Sequence, residues 1–375
     1  MDQWPTDQPF DIAKQFHKIM VQSSARILFG RRDFARADAI GEMIDELVRR
    51  NLTFLVTYWP FNLPFAPYRG LLKHAERLER SILDLIHARR TSPTNERDML
   101  DILMRARDED CRQMTDADLV GQATFLLYAS YVTQASSMSW TAFLLAQHPQ
   151  IMAELHEELR ETLSGAPPTL EQFERLPLLD AVVKEAMRLF PPVPRTIKRI
   201  TAPVEMGGHA LKKGDRVVLS HYVTHHMPEL YPDPERFNPH RWFRIKPSQY
   251  EYLPFSAGPR ACMGKGIANT MTKVALAMVL QRWRLRMVPD ARVDRSVTVT
   301  LTPGPGLAMT VCPQDGRFDA VKVRGNVHEM VDLPEPQVRR PARFVFPDVA
   351  VPSVFKRPHF QVGARVQKEK AEERR

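Results

Sequence analysis

The stretch PFSAGPRACMGKG, residues 254–266, decides how this chain is read. Glycines at 258, 264 and 266 let the main chain turn sharply and come close to a large, flat partner. The following KGIANTMTKVALAMVLQRWRL has apolar residues at helical spacing. Cys262 therefore stands at a helix start, where unpaired N–H groups and partial positive charge favour the thiolate form of a thiol. Arg260, two residues earlier, is placed to pair with a carboxylate of a ligand. On this loop alone two readings stand: a thiolate ligand, or the small buried hydrophobe that most lone cysteines are.

The 375 residues are 43% hydrophobic and 26% charged, which fits a globular chain with a sizeable core and excludes a fibrous or wholly disordered one. Three cysteines without paired spacing, Cys111, Cys262 and Cys312, argue against a disulfide framework and a tetrahedral zinc site. The expected compartment is reducing and cytoplasmic. No apolar run reaches the length of a membrane span, and the start shows no signal peptide or anchor pattern. The net charge of +9 is dispersed through helical patterns, without a zinc-finger or aromatic RNA-binding signature. No nucleic acid partner is expected; an acidic protein partner makes better use of the charge.

From residue 11 to about 195 the pattern is helical, including an amphipathic helix over 71–90 and a longer one over 116–149, apolar or small on nearly every face of its middle and so expected to be buried. Gly207-Gly208 and Gly214, between short apolar runs, predict a small hairpin sheet. HHMPELYPDPERFNPHRWF (225–243) has too many prolines for a helix and reads as an ordered irregular segment. RSVTVTLTPGPGLAMTVCP reads as a final hairpin turning at Pro-Gly-Pro-Gly. Residues 314–375, rich in proline and charge, read as a partly disordered C-terminal extension.

FSAGPRACMG satisfies each position of Phe-x-x-Gly-x-Arg-x-Cys-x-Gly, the heme-binding signature of the cytochrome P450 family, and the chain resembles that family over residues 1–313. The resemblance implies heme b, an iron protoporphyrin, with the Cys262 thiolate as the metal ligand and Phe255, Gly258, Arg260 and Gly264 around it. N–H groups near Gly264 would tune the iron's potential. Glu185 and Arg188, three apart on one helical face, form an ion pair whose apolar neighbours imply burial and a third partner. The resemblance supplies Arg241 from FNPHRW, as a structural network, with Arg236 a decoy. Lys198 falls where the family places a basic residue on a heme propionate, with Arg195 and Arg199 as competitors.

By the same resemblance the long central helix is the oxygen-binding helix, and Thr133 is the catalytic hydroxyl that relays protons. A threonine bonded back to its own helix is the structural alternative. Val132 replaces the usual acid and Ser130 the usual glycine, with Gln134 a substitute route. The chain opens where family members are already inside their helical domain. The expected fold is therefore mainly α with small β-sheets (α+β), a cytochrome P450 fold that is N-terminally truncated, with an internal start at Met1 the favoured explanation. The implied activity is insertion of one oxygen atom into an apolar organic substrate, with electrons from a ferredoxin- or flavodoxin-type donor and its reductase docking near Lys265 and Lys273. A peroxygenase or isomerase on the same fold, and a non-catalytic heme-binding fragment, are the alternatives.

Overall fold

The computed structural model describes residues 4–30, 33–92 and 98–334. A short strand β1 (Phe10–Asp11) leads into helices α1 (Ile12–Phe29), α2 (Phe34–Asn51), α3 (Phe54–Tyr58), α4 (Pro67–Thr91), α5 (Met99–Arg105), α6 (Asp116–Gln147), α7 (Pro149–Leu163) and α8 (Pro177–Leu189). Strands β2 (Arg195–Arg199), β3 (Val204–Met206), β4 (His209–Leu211) and β5 (Arg216–Ser220) precede the single-turn α9 (His221–His225). After an irregular stretch come α10 (Lys265–Arg282), β6 (Trp283–Met287), β7 (Asp294–Val297), β8 (Leu301–Gly304) and β9 (Ala308–Pro313). The architecture is mainly helical with small antiparallel sheets: β1-β9-β6, β2-β5, β3-β4 and β7-β8.

Helix α6 is the axis. A capping box starts it, with the Thr115 side chain accepting from Asp118 N while Asp118 accepts from Thr115 N. From Gln134 to Gln147 every residue is buried, as its charge-free run of small and apolar residues predicts. Trp140 stacks on Phe190 at 4.2 Å between ring centroids, and its indole N–H donates to Leu301 O at 3.0 Å. Ser136 Oγ donates to the same carbonyl, and Leu301 N donates to Pro192 O at 2.9 Å. One residue of β8 is thereby clamped to both α6 and the segment leaving α8.

The segment before α1 meets the passage between β8 and β9 through Asp11, whose Oδ1 accepts from Ala13 N at the start of α1 and from Leu307 N at 3.0 Å. Gly306, at φ 144°, passes so close that an added Cβ would stand 2.5 Å from Asp11 Oδ2, which excludes a side chain. At the β3-β4 hairpin, Gly207 and Gly208 have φ of 59° and 78°, the two left-handed positions that a two-residue turn demands.

Two sequence expectations need correction. The final hairpin turns at residues 298–300, where β7 pairs with β8; of Pro-Gly-Pro-Gly, Pro303-Gly304 lies within β8 and Pro305-Gly306 opens the passage to β9, which joins another sheet. The local turn signal lost to the tertiary hold on Leu301. Secondly, the packed body continues beyond residue 313: Val321, Val323, Val327, Met330 and Val331 enter the same core as α6 and α8. Charged residues interleave with these apolar side chains and hid them from a composition-based boundary. Residues 335–375 lie outside the described residues.

Helix α8 receives its N-terminal cap from another helix. Glu158 of α7 accepts from Leu178 N at 2.7 Å and Leu179 N at 2.9 Å. Glu158→Ala is expected to destabilise the protein by about 1–2 kcal/mol, seen as a lower urea midpoint, because both N–H groups lose their acceptor.

Candidate functional site

The Cys262 loop is closed by its own main chain. Cys262 N donates to Phe255 O at 2.9 Å, and Ala261 N to Gly258 O at 3.0 Å across a 3-10 turn over Gly258–Arg260. Gly258 has φ 74°, a left-handed conformation that a side chain would strain. Gly264 caps α10, its carbonyl accepting from Ala268 N at 2.8 Å. A Cβ on Gly264 would lie in ordinary contact with Cys262 Sγ at 3.8 Å, so the chain's own packing does not demand glycine there. Around Gly258 and Gly266 an added Cβ would meet none of the described residues within 4 Å. These glycines keep the ground beside the sulfur bare.

Cys262 is exposed, Met263 beside it is 90% exposed, and Phe255 is half-buried against the core. A buried-hydrophobe reading of Cys262 does not match this placement. Among the described residues no three His, Cys, Asp or Glu side chains converge on a metal-sized site. A metal ion held by Cys262 needs its other ligands from a cofactor, as a porphyrin provides. Arg260 and Lys198 are exposed, and neither has an ion-pair partner among the described residues. Lys198 lies on β2 opposite Val217. These cations suit the carboxylates of such a cofactor.

On α6 a second open surface appears. Gly121, Phe125 and Ala129 are exposed and Thr133 half-exposed, at a four-residue spacing that lines them up on one face. Phe125 is 60% exposed on the helix that otherwise forms the core. This face of the central helix is left uncovered by the described residues. The family resemblance pointed to Thr133; the four-residue spacing was the available signal for Phe125. Thr133 Oγ1 donates to Ala129 O at 3.1 Å, Ser130 Oγ to Leu127 O at 2.7 Å and Gln134 Nε2 to Ser130 O at 2.8 Å. All three bond back into their own helix. Gln134 Oε1 is buried with no protein partner among the described residues, and Val132 packs against the core.

Behind the cysteine loop lies the network anticipated at Glu185, Arg188 and Arg241. Glu185 and Arg188 are fully buried. Arg188 grips the carboxylate twice, Nε to Oε2 at 3.0 Å and Nη2 to Oε1 at 2.9 Å. Arg241 Nε donates to Oε1 at 2.9 Å, Asn238 N at 3.1 Å, and Trp242 Nε1 to Oε2 at 2.9 Å. The rest of each guanidinium meets main-chain carbonyls: Arg188 those of His225, Pro234 and Arg236, Arg241 those of Pro232, Asp233 and Arg236. Arg236 contributes only its carbonyl. The irregular segment is ordered because its carbonyls turn inward on these two cations.

Three rings, buried Tyr231 and His225 and half-buried Tyr252, then join the network to the loop. Tyr231 Oη donates to Glu251 O at 3.0 Å, Tyr252 Oη to Lys184 O at 3.1 Å, and Leu253 N to His225 Nε2 at 2.7 Å. Burial pushes Tyr231 up to about 12 and Tyr252 well upward, so both remain neutral donors. Burial, with Arg188 nearby, pushes His225 down to about 3 and keeps it an acceptor. Lys273, expected as a free docking cation, is instead bound to Asp180 at 2.5 Å and largely covered. Lys265 is exposed and has no ion-pair partner among the described residues.

The Cytochrome P450 family model matches residues 3–309. Among curated proteins, the chain is 32% identical over 311 residues to cyclooctat-9-en-7-ol 5-monooxygenase of Streptomyces melanosporofaciens, covering 80% of this chain and 67% of that one. It is likewise 32% identical over 316 residues to cyclooctatin synthase of the same organism, covering 80% and 68%. Among solved structures, a retinoic acid bound cyanobacterial CYP120A1 superposes with a TM-score of 0.74 at 25% identity, covering 84% of this chain and 72% of that one. The chain belongs to the cytochrome P450 family. The family is one of heme-thiolate oxidoreductases and includes monooxygenases. Among the described residues no helix is long and apolar enough to cross a membrane.

Replacing one member of a buried ionic network strands the others. Glu185→Gln is expected to cost about 3–5 kcal/mol in urea unfolding. Glu157→Gln, in an exposed pair with Arg160 at the same spacing, should leave the midpoint unmoved.

Proposed function

We propose that this chain is a heme-thiolate monooxygenase that binds heme b through Cys262 and oxidises an apolar organic substrate. The observation that carries this reading is the Cys262 loop, an exposed sulfur on glycine-bared ground at the head of α10, rooted through Leu253 in a buried ionic network. Bound there, the heme supplies a redox-active iron at which dioxygen is activated for transfer to substrate. The Cys262 thiolate is the metal ligand, and Phe255, Gly258 and Gly264 shape the surface against which the macrocycle lies. Arg260 and Lys198 pair with its carboxylates. Phe125, Ala129 and Thr133 form the apolar wall that orients substrate and excludes water. The relatives named for cyclooctat-9-en-7-ol and retinoic acid support a hydrocarbon-rich substrate. Electrons come from a separate ferredoxin- or flavodoxin-type donor and its reductase, for which exposed Lys265 offers positive charge on the thiolate side.

A peroxide-driven version of the chemistry is the second reading. Val132 offers no acid to a proton relay, and the Thr133 hydroxyl is engaged with Ala129 O. Product formed with hydrogen peroxide, and none with dioxygen and a reductase, selects this version.

The primary assignment is read in the reduced carbon monoxide difference spectrum of the heme-loaded protein. A thiolate-type Soret band is expected, abolished by Cys262→Ala and kept by Cys111→Ala and Cys312→Ala. A Cys262→Ala spectrum identical to that of the parent sinks it.

A further inference from the structure

His225 lies outside the cysteine signature and outside the ionic triad, yet it touches both ends of the connection between them. Its carbonyl accepts from Arg188 Nη1 at 2.8 Å, and its ring Nε2 accepts from Leu253 N at 2.7 Å. The residue is 0% exposed, stacked on Tyr252 at 5.5 Å and edge-on to Tyr231 at 6.4 Å between centroids. From Leu253 the path to the sulfur is short: Ser256 N donates to Leu253 O at 3.0 Å, and Cys262 N to Phe255 O at 2.9 Å.

The tautomer makes the point sharper. A ring nitrogen that accepts from a main-chain N–H carries no proton, so neutral His225 must hold its proton on Nδ1. That nitrogen is buried without a partner among the described residues. An unsatisfied buried donor is unfavourable. A phenylalanine would fill the same space and avoid the cost, but it could not accept the Leu253 N–H. The imidazole's one polar return is that hydrogen bond.

We propose that His225 is a positioning residue: by accepting the Leu253 N–H it fixes the height of the 253–262 loop above the Glu185, Arg188 and Arg241 network, and so the position from which the Cys262 sulfur meets the heme. This rests on the reading of Cys262 as the heme ligand. His225 touches neither substrate nor cofactor; it acts through Leu253. Tyr231 and Tyr252 hold the neighbouring carbonyl of Glu251 and the α8 carbonyl of Lys184, so loss of the imidazole loosens the loop's register without releasing the segment.

Two measurements test it. Nitrogen-15 NMR of histidine-labelled, heme-loaded protein at neutral pH is expected to show the His225 proton on Nδ1; a proton on Nε2 overturns the proposal, because that nitrogen could not then accept. The reduced carbon monoxide spectrum is the second. His225→Phe, at unchanged heme content, is expected to move at least half of the thiolate-type band to the form that has lost the thiolate, whereas His225→Gln, which restores an acceptor, returns it. A His225→Phe spectrum equal to the parent's, or a Gln variant as impaired as the Phe variant, overturns the proposal. If His225→Phe does not fold, the tautomer and the Gln variant decide. Failure of the heme-ligand reading is distinguished because it shows in Cys262→Ala with His225 intact.

Discussion

A carboxylate with no access to water governs this structure. Glu185 takes Arg188, Arg241, the Asn238 N–H and the Trp242 indole on its two oxygens. Two guanidiniums against one carboxylate leave an excess positive charge in a buried place, and such a charge survives only where other dipoles solvate it. The main-chain carbonyls of His225, Pro232, Asp233, Pro234 and Arg236 do this, turned toward the two guanidiniums. Their inward aim is incompatible with a helix or a strand, which would use them internally. The proline-rich irregularity of the segment is therefore the form that the network requires.

The site inherits its rigidity from that point. Tyr231, Tyr252 and His225 carry the geometry from α8 and the irregular segment to Glu251 and Leu253, and the closure of Cys262 N on Phe255 O carries it to the sulfur. The open face of α6 with Phe125, Ala129 and Thr133 is held independently, by the burial of the rest of α6 and by the clamp of Trp140 and Ser136 on Leu301. Loop and helix face thus rest on different parts of one core.

What the sequence disclosed follows the range of each interaction. The cysteine loop was legible because its requirements are local: a turn glycine, a sulfur and a helix start within a dozen residues. Glu185 and Arg188 were legible because three residues apart on a helix means adjacent. Arg241, 56 residues from Glu185, needed the family resemblance, since no spacing rule reaches that far. The carbonyl partners left no trace, because a carbonyl belongs to every residue. Lys273 looked like a free cation until Asp180, from another helix, was seen to neutralise it. The final hairpin was misplaced because Pro-Gly-Pro-Gly dominates any local reading, while the hold on Leu301 comes from α6. The apolar residues between 321 and 331 were overlooked because an irregular chain can bury side chains without a period.

The claim on which the rest depends is that the buried carboxylate builds the platform for the cysteine loop. Peptide-resolved amide hydrogen exchange on Glu185→Gln measures it most directly. The account predicts that protection collapses across residues 225–262 while α1 and the buried half of α6 exchange as in the parent protein. Parent-like protection across 225–262 would contradict it.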